Sequence, residues 1–178
     1  MLLAAMGCGV ESADDRYVAA LLRHYESSWG PAAEVVHWTR GPVHELPQRF
    51  RVAVFPPRPG RSRWVYATVG MAALDDDEAL ELHLVSPRQA DELVELLTAV
   101  AHYHRTGRRL GLHHTVNFGR PWLAGATCDF GLVSLPYLDG PNLEWLDDSG
   151  FRVRNLWLVP ISEAERDFKI PDLLTYPS

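Results

Sequence analysis

Lysine, isoleucine and cysteine are scarce in this sequence of 178 residues. Lys169 is the single lysine, so 16 of the 17 basic residues are arginines, and isoleucine occurs only twice. Because alanine, glycine and proline are abundant at the same time, this scarcity indicates a GC-rich coding bias, and the preference for arginine does not by itself indicate a site. The two cysteines, Cys8 and Cys128, lack a CxxC spacing and make no disulfide framework, which is typical of a reducing cytoplasm.

Long hydrophobic runs are also missing. No stretch reaches the roughly 18 apolar residues of a membrane helix, and the N-terminus lacks the positive charge of a signal peptide. With 23 acidic against 17 basic residues, the formal net charge of −6 argues against a general nucleic-acid binder. We expect a cytoplasmic protein without membrane or nucleic-acid partners, with one domain over residues 12–170, a flexible N-terminus (1–11) and a C-terminal tail (171–178).

The motifs of several enzyme classes are absent as well. There is no GxxxxGK[ST] loop, no GxGxxG after a strand and no HExxH helix. Ser134 stands in GLVSL rather than in the GxSxG turn of a nucleophilic serine. The sequence therefore predicts no catalytic, cofactor-binding or metal-binding residue, and we expect a protein that is not an enzyme and needs no cofactor.

Helices are indicated at three places. The first spans Ser12 to Trp29, with Ser12 as its cap, Gly30 and Pro31 as its stop and a buried face at helical spacing. The second begins at the capping box Ser86–Gln89, with proline at its first position, and ends at Gly107. The third begins at a capping box in Ser162–Glu165 and ends at Pro171.

Strands are predicted at residues 34–39, 51–55, 64–69, 80–85, 132–137 and 151–161, which are rich in β-branched and aromatic residues. In the fourth of these, leucines alternate with Glu81 and His83, a pattern typical of a half-buried strand. Residues 111–131 form a long irregular stretch. This order of elements predicts an α+β fold with helices packed on a sheet.

Three groups of side chains offer other chemistries. Cys128 with His113 or His114 as its base would be the nucleophile of a cysteine-dependent hydrolase. His114, His83 and Cys128 are of the types that bind zinc, as in a zinc-stabilised adaptor or regulator. Five arginines between Arg49 and Arg63 could bind phosphate, although their spacing is typical of a solvated face.

Several longer blocks resemble the bacterial, single-domain form of the Suppressor of fused domain family. They are Glu45–Phe50, Leu82–Pro87, Ala101–His104, Gly111–Gly119, Gly131–Tyr137 and Leu156–Phe168. The resemblance covers about residues 12–169 and implies an α+β domain with a mixed, mainly antiparallel sheet and no catalytic activity. Animal relatives clamp an extended segment of a transcription factor, partly by strand addition. Bacterial members resemble immunity proteins of toxin–antitoxin loci, which implies a protein partner such as a toxin domain or an extended peptide segment.

The stretch from His113 to Asp129 is the best candidate for the partner-binding surface. It is too polar and glycine-rich for a core element, yet it carries large side chains, as binding loops on rigid scaffolds do. We expect this loop to line one concave face together with the end of the following strand, with Trp122 as the aromatic anchor. The predicted partner-binding residues are His113, Phe118, Trp122, Asp129, Tyr137 and Asp139.

Overall fold

The computed structural model describes residues 12–173 apart from 42, 74 and 149, with side chains described up to residue 168. Residues 1–11, expected to be a flexible N-terminus, lie outside the described residues, as does most of the expected tail. The helices are α1 (Ala13–Trp29), α2 (Glu92–Thr106), α3 (Pro141–Glu144) and α4 (Glu163–Leu173). The strands are β1 (Glu34–Val36), β2 (Arg51–Phe55), β3 (Trp64–Val69), β4 (Ala79–Ser86), β5 (Thr115–Asn117), β6 (Phe130–Ser134), β7 (Trp145–Asp148) and β8 (Phe151–Ile161).

The eight strands form one mixed sheet, in which seven follow the order β1-β2-β3-β4-β8-β6-β5. The remaining strand, β7, pairs with the first residues of β8, whereas β6 pairs with the last. The pairing of β4 with β8 is parallel, and the other described pairings are antiparallel. The predicted α+β class with a mainly antiparallel sheet is therefore confirmed. Within the described residues, no helix is long and apolar enough to cross a membrane.

Helices cover both faces of the sheet and create two hydrophobic cores. One core lies against α2 and includes Leu82 and Leu97, and the other lies against α1 and includes Tyr25 and Trp29. Consequently β4 is buried along both faces, and the prediction of a half-buried strand there is wrong. Alternation of leucine with polar residues indicated one solvated face, but these polar side chains pack under α1.

The first helix matches its prediction closely. The side-chain oxygen of Ser12 accepts a hydrogen bond from the backbone N–H of Asp15, and Gly30 ends the helix with a φ of 75°. A left-handed φ of this kind is one that glycine adopts without strain. The buried face is also confirmed, with Leu21, Tyr25 and Trp29 at most 2% exposed.

The second helix starts later than the sequence predicts. Ser86 ends β4 opposite Trp64, and its hydroxyl bonds to the backbone of Arg88 in a turn, so it is not the helix cap. The first helical residue is Glu92, preceded by Asp91. The predicted capping box is therefore wrong, because Ser86 pairs in the sheet instead of capping the helix. The predicted end at Gly107 is confirmed.

The strand predictions were correct for β2, β3 and β8, whose bounds agree with those expected. Strands β1 and β6 are shorter or shifted, and β5, α3 and β7 were missed because they span only three or four residues each. The capping box at Ser162 is confirmed by its reciprocal hydrogen bonds with Glu165. The helix that it opens continues past Pro171 to Leu173, so the predicted end was wrong.

Replacement of Leu97 by alanine is expected to lower the free energy of unfolding by about 3 kcal/mol, because Leu97 is fully buried between α2 and the sheet and would leave a cavity. The matched control is Leu138→Ala, since Leu138 is 66% exposed. Urea unfolding of both variants measures the difference. Equal stabilities for the two variants would contradict the assigned inner face of α2.

Candidate partner-binding site

Four of the predicted partner-binding residues surround the edge strand β5. His113 precedes the strand, Phe118 follows it, and Trp122 and Asp129 lie in the connection to β6. The two sides of this connection are joined, because the N–H of Phe118 donates to the carbonyl of Asp129 at 2.9 Å and that of Trp122 to the carbonyl of Cys128 at 2.9 Å. The structure therefore places Phe118, Trp122 and Asp129 together at one end of β5 and His113 at the other end, and we call the four residues the β5 face.

His113 is held in an unusual backbone conformation at the entrance to β5. Its φ is 67°, in the left-handed region that non-glycine residues seldom occupy. The N–H of His113 donates to the carbonyl of Val133 on β6 at 2.8 Å, which fixes the turn against the sheet. The histidine side chain is exposed beside the strand edge.

The connection between β5 and β6 is fastened to α2 by hydrogen bonds. The N–H of Ala124 donates to the carboxylate of Glu92 at 3.0 Å, and Arg120 donates to Glu95 at 3.0 Å. These contacts attach an irregular segment to a rigid helix. The β5 face is therefore displayed on a fixed support, as a binding loop requires.

Phe118 and Trp122 are half-buried and pack against the core on the α2 side. Phe118 lies so close to Gly131 that a β-carbon there would come within 2.5 Å of its ring, so the glycine makes room for the aromatic side chain. Part of each ring is accessible while the rest is held by the core. This combination suits an aromatic anchor that keeps its position before a partner arrives.

Tyr137 and Asp139 are placed elsewhere, in the loop after β6 that leads to α3. Tyr137 is 72% exposed, whereas the Oδ1 atom of Asp139 accepts a hydrogen bond from Trp29 Nε1 at 2.7 Å. This bond ties the loop to the end of α1, on the face of the sheet opposite to the core under Trp122. The six predicted residues thus form two groups rather than one continuous surface.

His83 lies behind Asp139 and was not among the predicted site residues. Its Nε2 atom is 3.7 Å from Asp139 Oδ2, and its ring packs on Trp29 with 5.1 Å between centroids. Burial lowers the pKa of His83 to about 3, so the imidazole is neutral at neutral pH. Burial also raises the pKa of Asp139, against the hydrogen bond from Trp29. The two side chains thus lie close together beneath the loop without a hydrogen bond between them.

Glu81 is a second buried polar residue on the α1 side of β4. Its carboxylate accepts four hydrogen bonds, two at 2.6 Å from the hydroxyls of Tyr17 and Thr68 and two from the backbone N–H groups of Gly70 and Ala72. Burial raises the pKa of Glu81, and these hydrogen bonds act in the opposite direction. The alternation of Glu81 and His83 with leucines is the signal in the sequence, but both side chains are buried instead of facing solvent.

Cys128 is in an environment that does not favour a nucleophilic thiol. Burial and the neighbouring carboxylates of Glu165 and Asp129 raise its pKa, with a hydrogen bond from Thr127 acting in the opposite direction. A catalytic cysteine needs a lowered pKa, because the thiolate is the nucleophile. The electrostatics therefore oppose the hydrolase alternative.

No group of three histidine, cysteine, aspartate or glutamate side chains within the described part of the chain is arranged to hold a metal ion. Of the residues considered for zinc, His83 is buried under α1, whereas Cys128 lies in the connection between β5 and β6 and His114 is exposed before β5. The geometry of the described residues gives the zinc-stabilised adaptor no support.

Comparison with known proteins assigns the fold to a family. The model of the Suppressor of fused protein (SUFU) family matches residues 47–171, more than half of the chain. The chain therefore belongs to the Suppressor of fused family, and the resemblance of its sequence blocks is confirmed. Among curated proteins, no sequence matches this chain.

Solved structures with the same fold include one from a bacterium and one from Drosophila. A protein described as a SUFU homolog from Neisseria gonorrhoeae FA 1090 is 31% identical, with a TM-score of 0.75, over 90% of this chain and 84% of that one. The Sufu–Fu complex has a TM-score of 0.62 at 15% identity, over 87% and 79% of the two chains. Drosophila Suppressor of Fused has a TM-score of 0.58 at 15% identity, and the match spans 85% of this chain but 43% of that protein.

Proposed function

We propose that this chain is a protein-binding module of the immunity type, which binds and neutralises a toxin in the cytoplasm without catalysing a reaction. The observation that carries the proposal is the β5 face, an open strand edge flanked by half-buried aromatic side chains on a fixed support. The structure of the Sufu–Fu complex also supports the proposal, since there a protein of this fold is in complex with another protein. The cysteine usage favours the cytoplasm.

The edge of β5 offers a mode of binding as well as a location. β5 pairs with β6 on one side, and no described strand pairs with it on the other. An extended segment of a partner can add to such an edge through backbone hydrogen bonds, while neighbouring side chains select its sequence. In this proposal Phe118 and Trp122 supply the selection.

The charge of the chain favours a basic partner. A net charge of −6 accelerates association with a positively charged protein, such as a toxin that acts on nucleic acid. In this arrangement Asp129 on the β5 face meets donors of the toxin. The same acidity disfavours direct binding of the chain to nucleic acid.

A growth assay tests the proposal directly. The product of the gene next to this one is expressed alone and together with the chain, and growth is followed. We expect the product to be toxic alone, growth to recover with the chain, and the two proteins to co-purify. A non-toxic product, no co-purification and turnover of a substrate by the isolated chain would contradict the proposal.

Replacement of Trp122 by alanine is expected to weaken toxin binding by about 2 kcal/mol, or roughly 30-fold, because the anchor of the β5 face is lost. The matched control is Trp38→Ala, since Trp38 is also partly buried against the α2-side core. Titration calorimetry and thermal melting are measured for both variants. Both are expected to melt earlier, and binding should weaken only for Trp122→Ala; equal binding by the two variants would remove the anchor role.

A further inference from the structure

A groove opens where α1 ends, on the opposite side of the sheet from the β5 face. Beyond Trp29 the helix no longer covers the strands, and Val65 and Val85 form part of the floor. The loop between β2 and β3 makes one wall, and the loop between β6 and α3 makes the other. The groove holds about 890 Å³, and we call it the arginine groove after the three basic residues Arg58, Arg61 and Arg63 that line it.

Hydrogen bonds join the walls of the arginine groove to one another. Arg61 donates to the carbonyl of Trp29 at 3.1 Å and to that of Pro56 at 2.8 Å, which ties the first loop to the end of α1. The bond from Trp29 to Asp139 ties the second loop to the same helix end. The groove is therefore preformed, and a ligand would not have to order these segments.

The arginine groove carries a positive charge within an acidic protein. Arg58 and Arg63 are exposed, and neither forms an ion pair with a described residue. The acidic side chain in the lining, Asp139, is 12% exposed and directs its Oδ2 atom towards His83 instead of into the groove. The accessible charge of the groove is consequently positive.

Arg49 and Arg51, the other two of the five arginines between Arg49 and Arg63, make contacts away from the groove. Arg49 pairs with Asp14 and bonds to the carbonyl of Ala72, and Arg51 donates to the carbonyl of Phe50. The five arginines thus do not form one phosphate-binding face. The fold assigns two of them to internal contacts and gathers the remaining three around the arginine groove.

Apolar surface accompanies this charge. Leu138 lines the groove and is 66% exposed, and the neighbouring Tyr137 is exposed as well. A free phosphate or the phosphate of a nucleotide would make no contact with this apolar surface. A peptide segment with acidic side chains and a large apolar residue fits both features, since arginine binds carboxylates through its planar fork and Leu138 offers an apolar contact.

We infer that the arginine groove is a second docking surface, which binds an acidic segment of a protein through Arg58 and Arg63 with an apolar residue against Leu138. The inference rests on the proposed protein-binding function but not on the identity of the toxin. The two surfaces then make different contacts. The β5 face binds a basic surface, and the arginine groove binds an acidic segment.

Selection from a random peptide library displayed on phage, with the full chain immobilised, tests the inference. We expect the recovered peptides to be rich in aspartate and glutamate around a large apolar residue. Fluorescein-labelled copies of these peptides are then titrated with the chain and with R58E/R63E. The charge reversal should weaken binding at least about tenfold, since it replaces attraction by repulsion.

The control is R16E/R23E, which makes the same change of charge at two exposed arginines on α1. It should bind the peptides as the unchanged chain does, and melting curves should show that both double variants are folded. Peptides that are not acidic, or equal binding by the two double variants, would overturn the inference. So would equally arginine-dependent binding of a fluorescent single-stranded oligonucleotide, since the occupant would then be nucleic acid. The growth assay of the proposed function does not depend on any of these outcomes.

Discussion

Replacement of Glu81 by alanine is expected to destabilise the fold by about 4 kcal/mol or more, a large part of the 5–15 kcal/mol typical of a domain. Four donors on Tyr17, Thr68, Gly70 and Ala72 point at this buried carboxylate. Without it, the donors of Tyr17, Gly70 and Ala72 stay buried and unsatisfied, at a cost of about 1–3 kcal/mol per group unless water enters. The Thr68 hydroxyl can still donate to the carbonyl of Leu82, 3.2 Å away.

Urea unfolding of Glu81→Ala and Glu81→Gln measures this effect. The glutamine keeps one acceptor oxygen but turns an amide group towards donors, so an intermediate loss is expected. Glu26→Ala is the control, because Glu26 is exposed on α1 and its replacement should change stability by less than about 0.5 kcal/mol. A Glu81→Ala variant as stable as this control would show that the four hydrogen bonds contribute nothing net.

Lowering the pH from 7 to 5 is expected to reduce the free energy of unfolding by about 4 kcal/mol through two buried histidines. Burial lowers the pKa of His83 to about 3, and burial together with Arg105 lowers that of His104 to about 4. The unfolded chain binds protons at both positions below about pH 6.5 and the folded chain does not. The contribution of the two neutral histidines to stability is therefore fully present above about pH 6.5 and is lost progressively as the pH falls, down to about pH 4 for His104 and about pH 3 for His83.

The variants His83→Gln and His104→Gln separate the two contributions. Each should remove about half of the pH dependence, because one titrating group of about 1.4 kcal/mol per pH unit is taken away. Unfolding free energies of the three proteins at several pH values between 7 and 5 provide the measurement. Because the raised pKa values of Glu81 and Asp139 act in the opposite direction, the differences between the proteins provide the test. A variant with the same pH dependence as the wild type would contradict the neutral, buried state of the histidine that it lacks.

The sequence predicted elements whose signals are local. The cap at Ser12, the glycine that ends α1 and the β-branched and aromatic residues of β8 each act within a few residues, and all three are confirmed. Predictions failed where distant pairing decides. Ser86 joins the sheet opposite Trp64 instead of capping α2, and β4 is buried on both faces because α1 and α2, which are far apart in the chain, cover it.

The candidate site also combines local features with contacts between distant parts of the chain. The loop around β5 is predicted as a binding loop because glycines, polar residues and Trp122 occur together within one stretch. The contacts of Asp139 with Trp29 and His83 could not be found, since these residues are brought together by α1, β4 and the loop after β6. The assignment of the six residues as partner contacts stays a prediction until a complex is measured.

The parallel pairing of β4 with β8 has a consequence for the time course of folding. Ala79 lies beside Val153, so the centre of the sheet joins segments separated by 74 residues (153 − 79). Closing so long a loop costs conformational entropy before the contact is formed. We therefore expect this protein to fold more slowly than proteins in which most contacts are local. On the ribosome, the completed β1–β4 meander has to wait with one edge of β4 open until residues 151–161 have emerged. An open, apolar strand edge is prone to pair with other chains, so the early part of synthesis is when this protein is most exposed to aggregation.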